Sequence, residues 1–213
     1  MPPKPLESVT VSVVGLAGSL RAEGFTRMAV RYALLGAEQE GAKTRMLDLA
    51  SYDLPFLGQK YGNASGVESF RADLNAADGI VLGSPEYHGS ISGVLKNALD
   101  FASSEEFEGK MVGLIGVAGG RMGATDTLNN LRTVGRALHA WVVPNQVSIG
   151  SSEEAFEPSG GPLQRDVAGR LKSVGWQVAH FARLHKCEDH LQFIKEWEGA
   201  PRNEAVDAAL SVR

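Results

Sequence analysis

Apolar residues along the chain fall into two rhythms that take turns. Short β-branched runs read as strands, the first being Val9-Thr10-Val11-Ser12-Val13-Val14-Gly15-Leu16. Longer segments carry their apolar residues at helical spacing. Over residues 26–40 Met28, Ala29, Tyr32, Ala33 and Leu35 recur at that interval, and Gly41 sits where a helix should stop. The same alternation predicts strands at 43–49, 79–83, 110–117 and 141–149, and helices at 67–76, 93–102, 125–139 and 165–187. A loop bearing Pro and Gly spans 52–62. Five strands alternating with five helices specify an α/β domain, a mainly parallel sheet with helices on both faces. Such sheets bind ligands at the carboxyl ends of their strands, beside the point where strand order reverses. The loops that follow strands are therefore where chemistry is expected. Residues 1–187 make up the predicted domain. The tail 188–213 carries Phe193, Ile194 and Trp197, then turns polar around Pro201-Arg202-Asn203, which predicts a short docked helix and a mobile or partner-bound end.

Composition narrows this picture. A chain of 213 residues, 43% hydrophobic and 22% charged, supports a sizeable core and fits one domain. Its formal charge of −4 argues against nucleic acid as a main partner. Cys187 is the single cysteine, which excludes an internal disulfide and suits a reducing compartment. No apolar run reaches the roughly 18 residues of a membrane span. The opening MPPKPLES also lacks the apolar centre of a secretory signal, so a cytoplasmic location is expected.

Gly18-Ser19-Leu20-Arg21-Ala22-Glu23-Gly24-Phe25-Thr26 joins the first strand to the first helix. A helix start offers unpaired N–H groups and the positive end of a dipole. Ser19 and Thr26 add hydroxyls, Arg21 adds a planar cation, and the glycines permit close approach. This set suits a phosphate monoester; the alternative is an ordinary Thr-capped turn with a surface arginine. No Gly-Lys-Ser/Thr follows, which excludes a P-loop, and the dinucleotide fingerprint Gly-x-Gly-x-x-Gly is missing too.

Ser84-Pro85-Glu86-Tyr87-His88-Gly89-Ser90 follows the third strand. Pro85 stiffens a turn, Tyr87 offers a face to a flat ligand, and Gly89 with its neighbouring amides offers donors to a polar edge. His88 is a candidate hydrogen-bond or proton donor. The plainer readings are Tyr87 as a packing lid, His88 as a solvated loop histidine and Glu86 as a cap.

Gly18-Ser19-Leu20-Arg21, together with the stretch from Ser84 through Ile91-Ser92-Gly93-Val94-Leu95-Lys96-Asn97-Ala98-Leu99 to Asp100, resembles the NADPH-dependent FMN reductase family. That family includes quinone, azo-dye and chromate reductases, and the similarity runs over residues 8–187. The resemblance implies a flavodoxin-like three-layer α/β/α sandwich, with a five-stranded parallel sheet in the order 2-1-3-4-5. It implies FMN as cofactor and NADPH or NADH as hydride donor. The FMN phosphate would lie on Ser19, Arg21, the backbone of Phe25, and Thr26. The isoalloxazine would rest on Pro85, Glu86, Tyr87, His88 and Gly89, with His88 standing where the family usually has Asn. Ala118-Gly119-Gly120-Arg121, after the fourth strand, corresponds to a family loop that borders the ring. Arg21 and Arg121 are also candidates for the 2′-phosphate of NADPH. Homodimers or homotetramers are the family's usual assemblies.

Several other features carry less. Asp48, at the end of the second strand, reads as a surface carboxylate, and the run Glu105-Glu106-Phe107-Glu108 as a solvated helix end. On one helix His180 and His185 stand about 140° apart and Cys187 about 200° from His185, so with His190 they form no converging metal set. Ser19 lacks the setting of a nucleophile elbow, which argues against a hydrolase.

The leading function is an FMN-dependent oxidoreductase that passes electrons from NAD(P)H to a small acceptor such as a quinone, flavin, azo compound or chromate. It needs no obligatory catalytic side chain, and a proton role for His88 stays open. The alternatives are a flavodoxin-type electron carrier without its own NAD(P)H turnover, and a flavin-free scaffold.

Overall fold

Successive residues of a strand point to opposite sides of its sheet, and β1 (Ser12–Ala17) uses this to feed two cores at once. Val13 and Ala17 join one buried apolar cluster, and Val14 and Leu16 join the other. The computed structural model describes residues 9–59, 65–157 and 161–187. Within them β1 is followed by α1 (Phe25–Gln39), β2 (Lys43–Leu47), α2 (Ser65–Asn75), β3 (Gly79–Pro85), α3 (Gly93–Asp100) and α4 (Ser104–Phe107). Then come β4 (Met111–Val117), α5 (Thr125–Ala137), β5 (Trp141–Ile149), α6 (Ser152–Ala155) and α7 (Arg165–Lys186).

All pairings are parallel and the strand order is β2-β1-β3-β4-β5, the order the resemblance implied. α1 and α7 cover one face of the sheet, while α2, α3 and α5 cover the other, so each face has its own core. β3 and β4, two of the three inner strands, carry apolar residues on both sides and are buried along their whole length. β5 contains Pro144 and its register with β4 shifts between Val112 and Leu114. A proline that cannot donate to a ladder is tolerated there because β5 is an edge.

α1 and α7 approach so closely that backbone meets backbone. A Cβ on Gly36 would stand 1.9 Å from the Lys172 carbonyl oxygen, and one on Gly175 would stand 1.7 Å from that of Ala33. Near the end of α7 the Arg183 guanidinium donates to the Val9 carbonyl and to the Glu40 carboxylate, tying the helix to the start of the sheet.

Some sequence expectations need correction. β1 begins three residues later than the run starting at Val9, and β2 ends at Leu47 rather than at 49. α4 and α6 have no counterpart in the predicted elements, since four residues are too few to show a period. Glu106 is not solvated: its side chain is fully buried, closes a capping box with Ser103 and accepts from Arg71 Nε at 2.7 Å. Burial alone would raise its pKa, but the Ser103 N–H and the Arg71 guanidinium more than offset this and hold it below the usual carboxylate range. Asp48 also has a partner, an ion pair with Arg27 at 2.9 Å. His180 stacks on Trp176 with ring centroids 4.6 Å apart and lies 2.9 Å from Glu40 Oε1. The tail 188–213 and its expected helix lie outside the described residues.

Candidate active site

Three strand-end loops meet where strand order reverses between β1 and β3, and backbone hydrogen bonds stitch them together. Gly18 N–H donates to the Gly83 carbonyl at 2.8 Å, and Ser92 Oγ donates to the Gly18 carbonyl at 2.7 Å. Glu86 N–H donates to the Val117 carbonyl at 2.7 Å. The loop after β4 is pinned in turn on the loop after β5, through Ser151 N–H to the Gly120 carbonyl and Ser152 N–H to that of Ala118.

The first loop ends in a bare helix terminus. The N-cap of α1 is Gly24, no side chain caps the helix, and its first turn contains no acidic residue. The Thr-capped alternative is thus not what forms, because Thr26 lies inside the helix. Thr26 is buried and turns its methyl toward β3, where a Cβ on Gly83 would come within 3.3 Å of its Cγ2. Phe25 stacks on Phe156 at 5.6 Å, so its ring is occupied within the protein and its backbone amide belongs to the helix start. Ser19 Oγ accepts from Arg21 N–H at 3.3 Å, and the Arg21 guanidinium is exposed without an ion-pair partner among the described residues. Uncapped first-turn amides, two hydroxyl residues and one guanidinium make a donor-rich loop, which fits a phosphate.

The turn after β3 is built differently. Tyr87 and Ser90 exchange both backbone hydrogen bonds, at 3.0 and 3.1 Å, around a two-residue tip. His88 has φ 54° and Gly89 φ 72°. Positive φ at both tip residues marks a type I′ turn, which favours Asn-Gly because Asn and Gly tolerate left-handed backbone. His is also enriched there among non-glycine residues. The left-handed backbone at position 88 thus accommodates His as well as the Asn that the resemblance leads one to expect there. Tyr87 is about half exposed (52%), and Pro85 is buried.

The carboxylate of Glu86 serves the protein itself, accepting Thr127 N–H at 3.1 Å at the start of α5. Thr127 Oγ1 donates to the Ser90 carbonyl at 3.0 Å, and Asn130 Nδ2 donates to Ser90 Oγ at 3.2 Å. Nothing in the local pattern marks Thr127 or Asn130. The available signal was a Thr and an Asn three positions apart on a helix that follows a Gly-rich strand-end loop. In that loop Ala118 is buried, whereas Gly119, Gly120 and Arg121 are exposed.

The candidate residues thus fall into three groups: a donor-rich loop after β1 (Ser19, Arg21, Phe25, Thr26), a tight turn after β3 (Pro85 to Gly89) and a largely exposed loop after β4 (Ala118 to Arg121). A groove of 520 Å³ lies elsewhere, between the outer side of α1 and β2, lined by Met28, Arg31, Leu35, Thr44 and Met46 among others. Its polar lining mixes Arg31 and Arg45 with the carboxylates Glu23 and Glu38, and it lies away from the strand ends, which are the better candidate on chemistry.

The strand order defines a flavodoxin-like α/β protein, with the candidate loops after β1, β3 and β4 gathered at its switch point. Residues 11–154 match the model of the NADPH-dependent FMN reductase family, and the chain belongs to that family. It is 33% identical over 168 residues to an NADPH azoreductase of Bacillus sp. (strain OY1-2), covering 76% of this chain and 92% of that protein. It is 31% identical over 165 residues to an FMN-dependent NADPH-azoreductase of Staphylococcus aureus, covering 74% and 87%. Among solved structures, an apo NADH:FMN oxidoreductase superposes with a TM-score of 0.67 at 21% identity, covering 82% of this chain and 89% of that one. That last likeness speaks for the fold. Family membership makes this chain an NAD(P)H-dependent oxidoreductase that works with FMN. No helix among the described residues is long and apolar enough to cross a membrane.

Proposed function

We propose that the enzyme takes electrons from NADPH and reduces flat, conjugated acceptors, azo compounds and quinones foremost, at one open face of FMN. The observation that carries this reading is the pairing of the uncapped α1 terminus with the Tyr87–Ser90 turn across one switch point. Ser19, Arg21, the Phe25 amide and Thr26 hold the phosphate of FMN. Pro85, Tyr87, His88 and Gly89 support its ring, Glu86 fixes the turn from behind, and Ala118 to Arg121 border the open side. The bound cofactor supplies hydride acceptance and electron delivery; the chain supplies orientation and exclusion of one ring face.

The acceptor class is supported by the azoreductase relatives and by the half-exposed ring of Tyr87 beside that face. Leu20, Phe56, Leu57, Tyr87 and Met122 are all exposed and all lie on strand-end loops. That apolar rim supports a homodimer or homotetramer closed around the site. A cytoplasmic location fits a single buried cysteine.

The test is an anaerobic visible spectrum of FMN-loaded, desalted protein during addition of NADPH, followed by an azo dye or quinone. The expected result is a retained flavin band that NADPH bleaches and the acceptor restores. A band untouched by NADPH and NADH, or one that neither acceptor restores, overturns the reading.

A further inference from the structure

We infer that Thr127 and Asn130 are positioning residues for the ring-binding turn, an assignment that rests on the FMN reading above. Thr127 is fully buried, and it grips both flanks of the turn with two different groups. Its backbone N–H holds the Glu86 carboxylate before the tip, and its hydroxyl holds the Ser90 carbonyl after it. Asn130 stands three residues further on α5, hence on the same side of the helix. Its amide reaches Ser90 Oγ at 3.2 Å and the Gly89 carbonyl at 3.5 Å.

The turn needs such a brace. Its tip carries two positive-φ residues, one of them a glycine whose peptide has few steric reasons to keep one orientation. The mutual bonds of Tyr87 and Ser90 fix the width of the turn but not its position over the switch point. The contacts from α5 add that position, so the Tyr87 ring and the tip amides reach a ligand already ordered. A surface ordered beforehand binds without the cost of ordering it on contact. The brace belongs to the ring end of the site and leaves the phosphate cradle untouched, which separates its signature from that of Arg21.

The experiment compares the full chain with Thr127→Val, Thr127→Ser and Asn130→Ala. It measures amide hydrogen exchange at Tyr87 and Ser90 without ligand, and dissociation constants for FMN and for riboflavin, which has the same ring and no phosphate. Losing one hydroxyl that spans the turn should weaken FMN and riboflavin by the same factor, about fivefold. Exchange at Ser90 should quicken alongside. Thr127→Ser should return both to within about twofold of the parent, and Asn130→Ala should shift both in the same direction by less. Unchanged exchange and unchanged riboflavin binding in Thr127→Val would overturn the assignment, even if its melting temperature drops. Should Thr127→Val fail to fold, the more exposed Asn130→Ala carries the test with the same two readouts. A parent protein that binds neither flavin overturns the FMN reading alone, because exchange in the ligand-free variants still decides the brace.

Discussion

Between Gly18 and Gly24 the loop after β1 holds itself with Arg21 N–H to Ser19 Oγ and Gly24 N–H to the Arg21 carbonyl, and Leu20 to Glu23 stay exposed. Between Ser84 and Ser92 the polar groups flanking the tip of the turn after β3 are engaged within the protein. Ser84 Oγ donates to the Pro85 carbonyl at 2.8 Å and accepts Ser92 N–H at 2.9 Å, while Ser92 Oγ links to the Gly18 carbonyl and to Leu95 N–H. The first loop offers donors that an anion would complete; the second is already completed, by its own groups and by Thr127 and Asn130 of α5. In the proposed FMN site the two halves therefore answer to different physics. The proposed phosphate end is electrostatic and would be finished by its ligand, whereas the proposed ring end is a prebuilt surface stabilised by the fold.

The sharpest way to break that contrast is Arg21→Ala. Removing a charge-assisted donor from an exposed loop with no other partner should cost FMN affinity on the order of 100-fold. Riboflavin affinity and the ligand-free melting temperature should stay where they were. Isothermal titration with both flavins checks this. A matching loss for riboflavin would mean that Arg21 faces the ring rather than the phosphate.

Ser84→Ala attacks the other half. Ser84 is fully buried and its loss strands the Ser92 N–H, so the ligand-free protein should lose about 1–2 kcal/mol in urea unfolding. Flavin binding should weaken less than in Arg21→Ala, and equally for FMN and riboflavin. A variant with parental stability would show that the turn does not depend on its own hydrogen bonds.

The same contrast explains what could be read from the chain without coordinates. Strands and long helices were legible because burial on one or two faces writes a period into the sequence. The candidate cradle could be proposed from sequence because its donors are neighbours along the chain, from Ser19 to Thr26. The ring turn was legible only in part. Its residue types were visible, but the reason for His88 lies in a backbone angle, and the brace comes from Thr127 and Asn130, about 40 positions away. Glu106 was misread for the same reason: beside Glu105 and Glu108 it looks like a solvated charge run, and only Arg71, 35 positions earlier, shows why it is buried.

The smallest expected effect concerns what anchors the cradle. Arg27, in the first turn of α1, pairs with Asp48 at the end of β2, and its Nε is buried with no hydrogen-bond partner among the described residues. The hydrogen bond from Arg27 holds the Asp48 carboxyl below its ordinary range; burial opposes the shift and the Ala50 N–H supports it. A folded-state pKa below the unfolded value of about 3.9 means stabilisation that is complete above that pH and disappears as pH falls through the folded value. Asp48 is 40% exposed, so solvent screens the pair and Asp48→Asn should cost below about 1 kcal/mol at neutral pH. In urea unfolding that gap should narrow as pH falls below the unfolded value of about 3.9 and close below the folded pKa, where the parent carboxyl is itself neutral. The Ser84→Ala gap, resting on hydroxyl and amide groups that do not titrate, should keep its size over the same range. An Asp48→Asn gap that persists in acid would locate the cost in the shape of the Arg27 site rather than in its charge, and the electrostatic account of the cradle's anchor would fail.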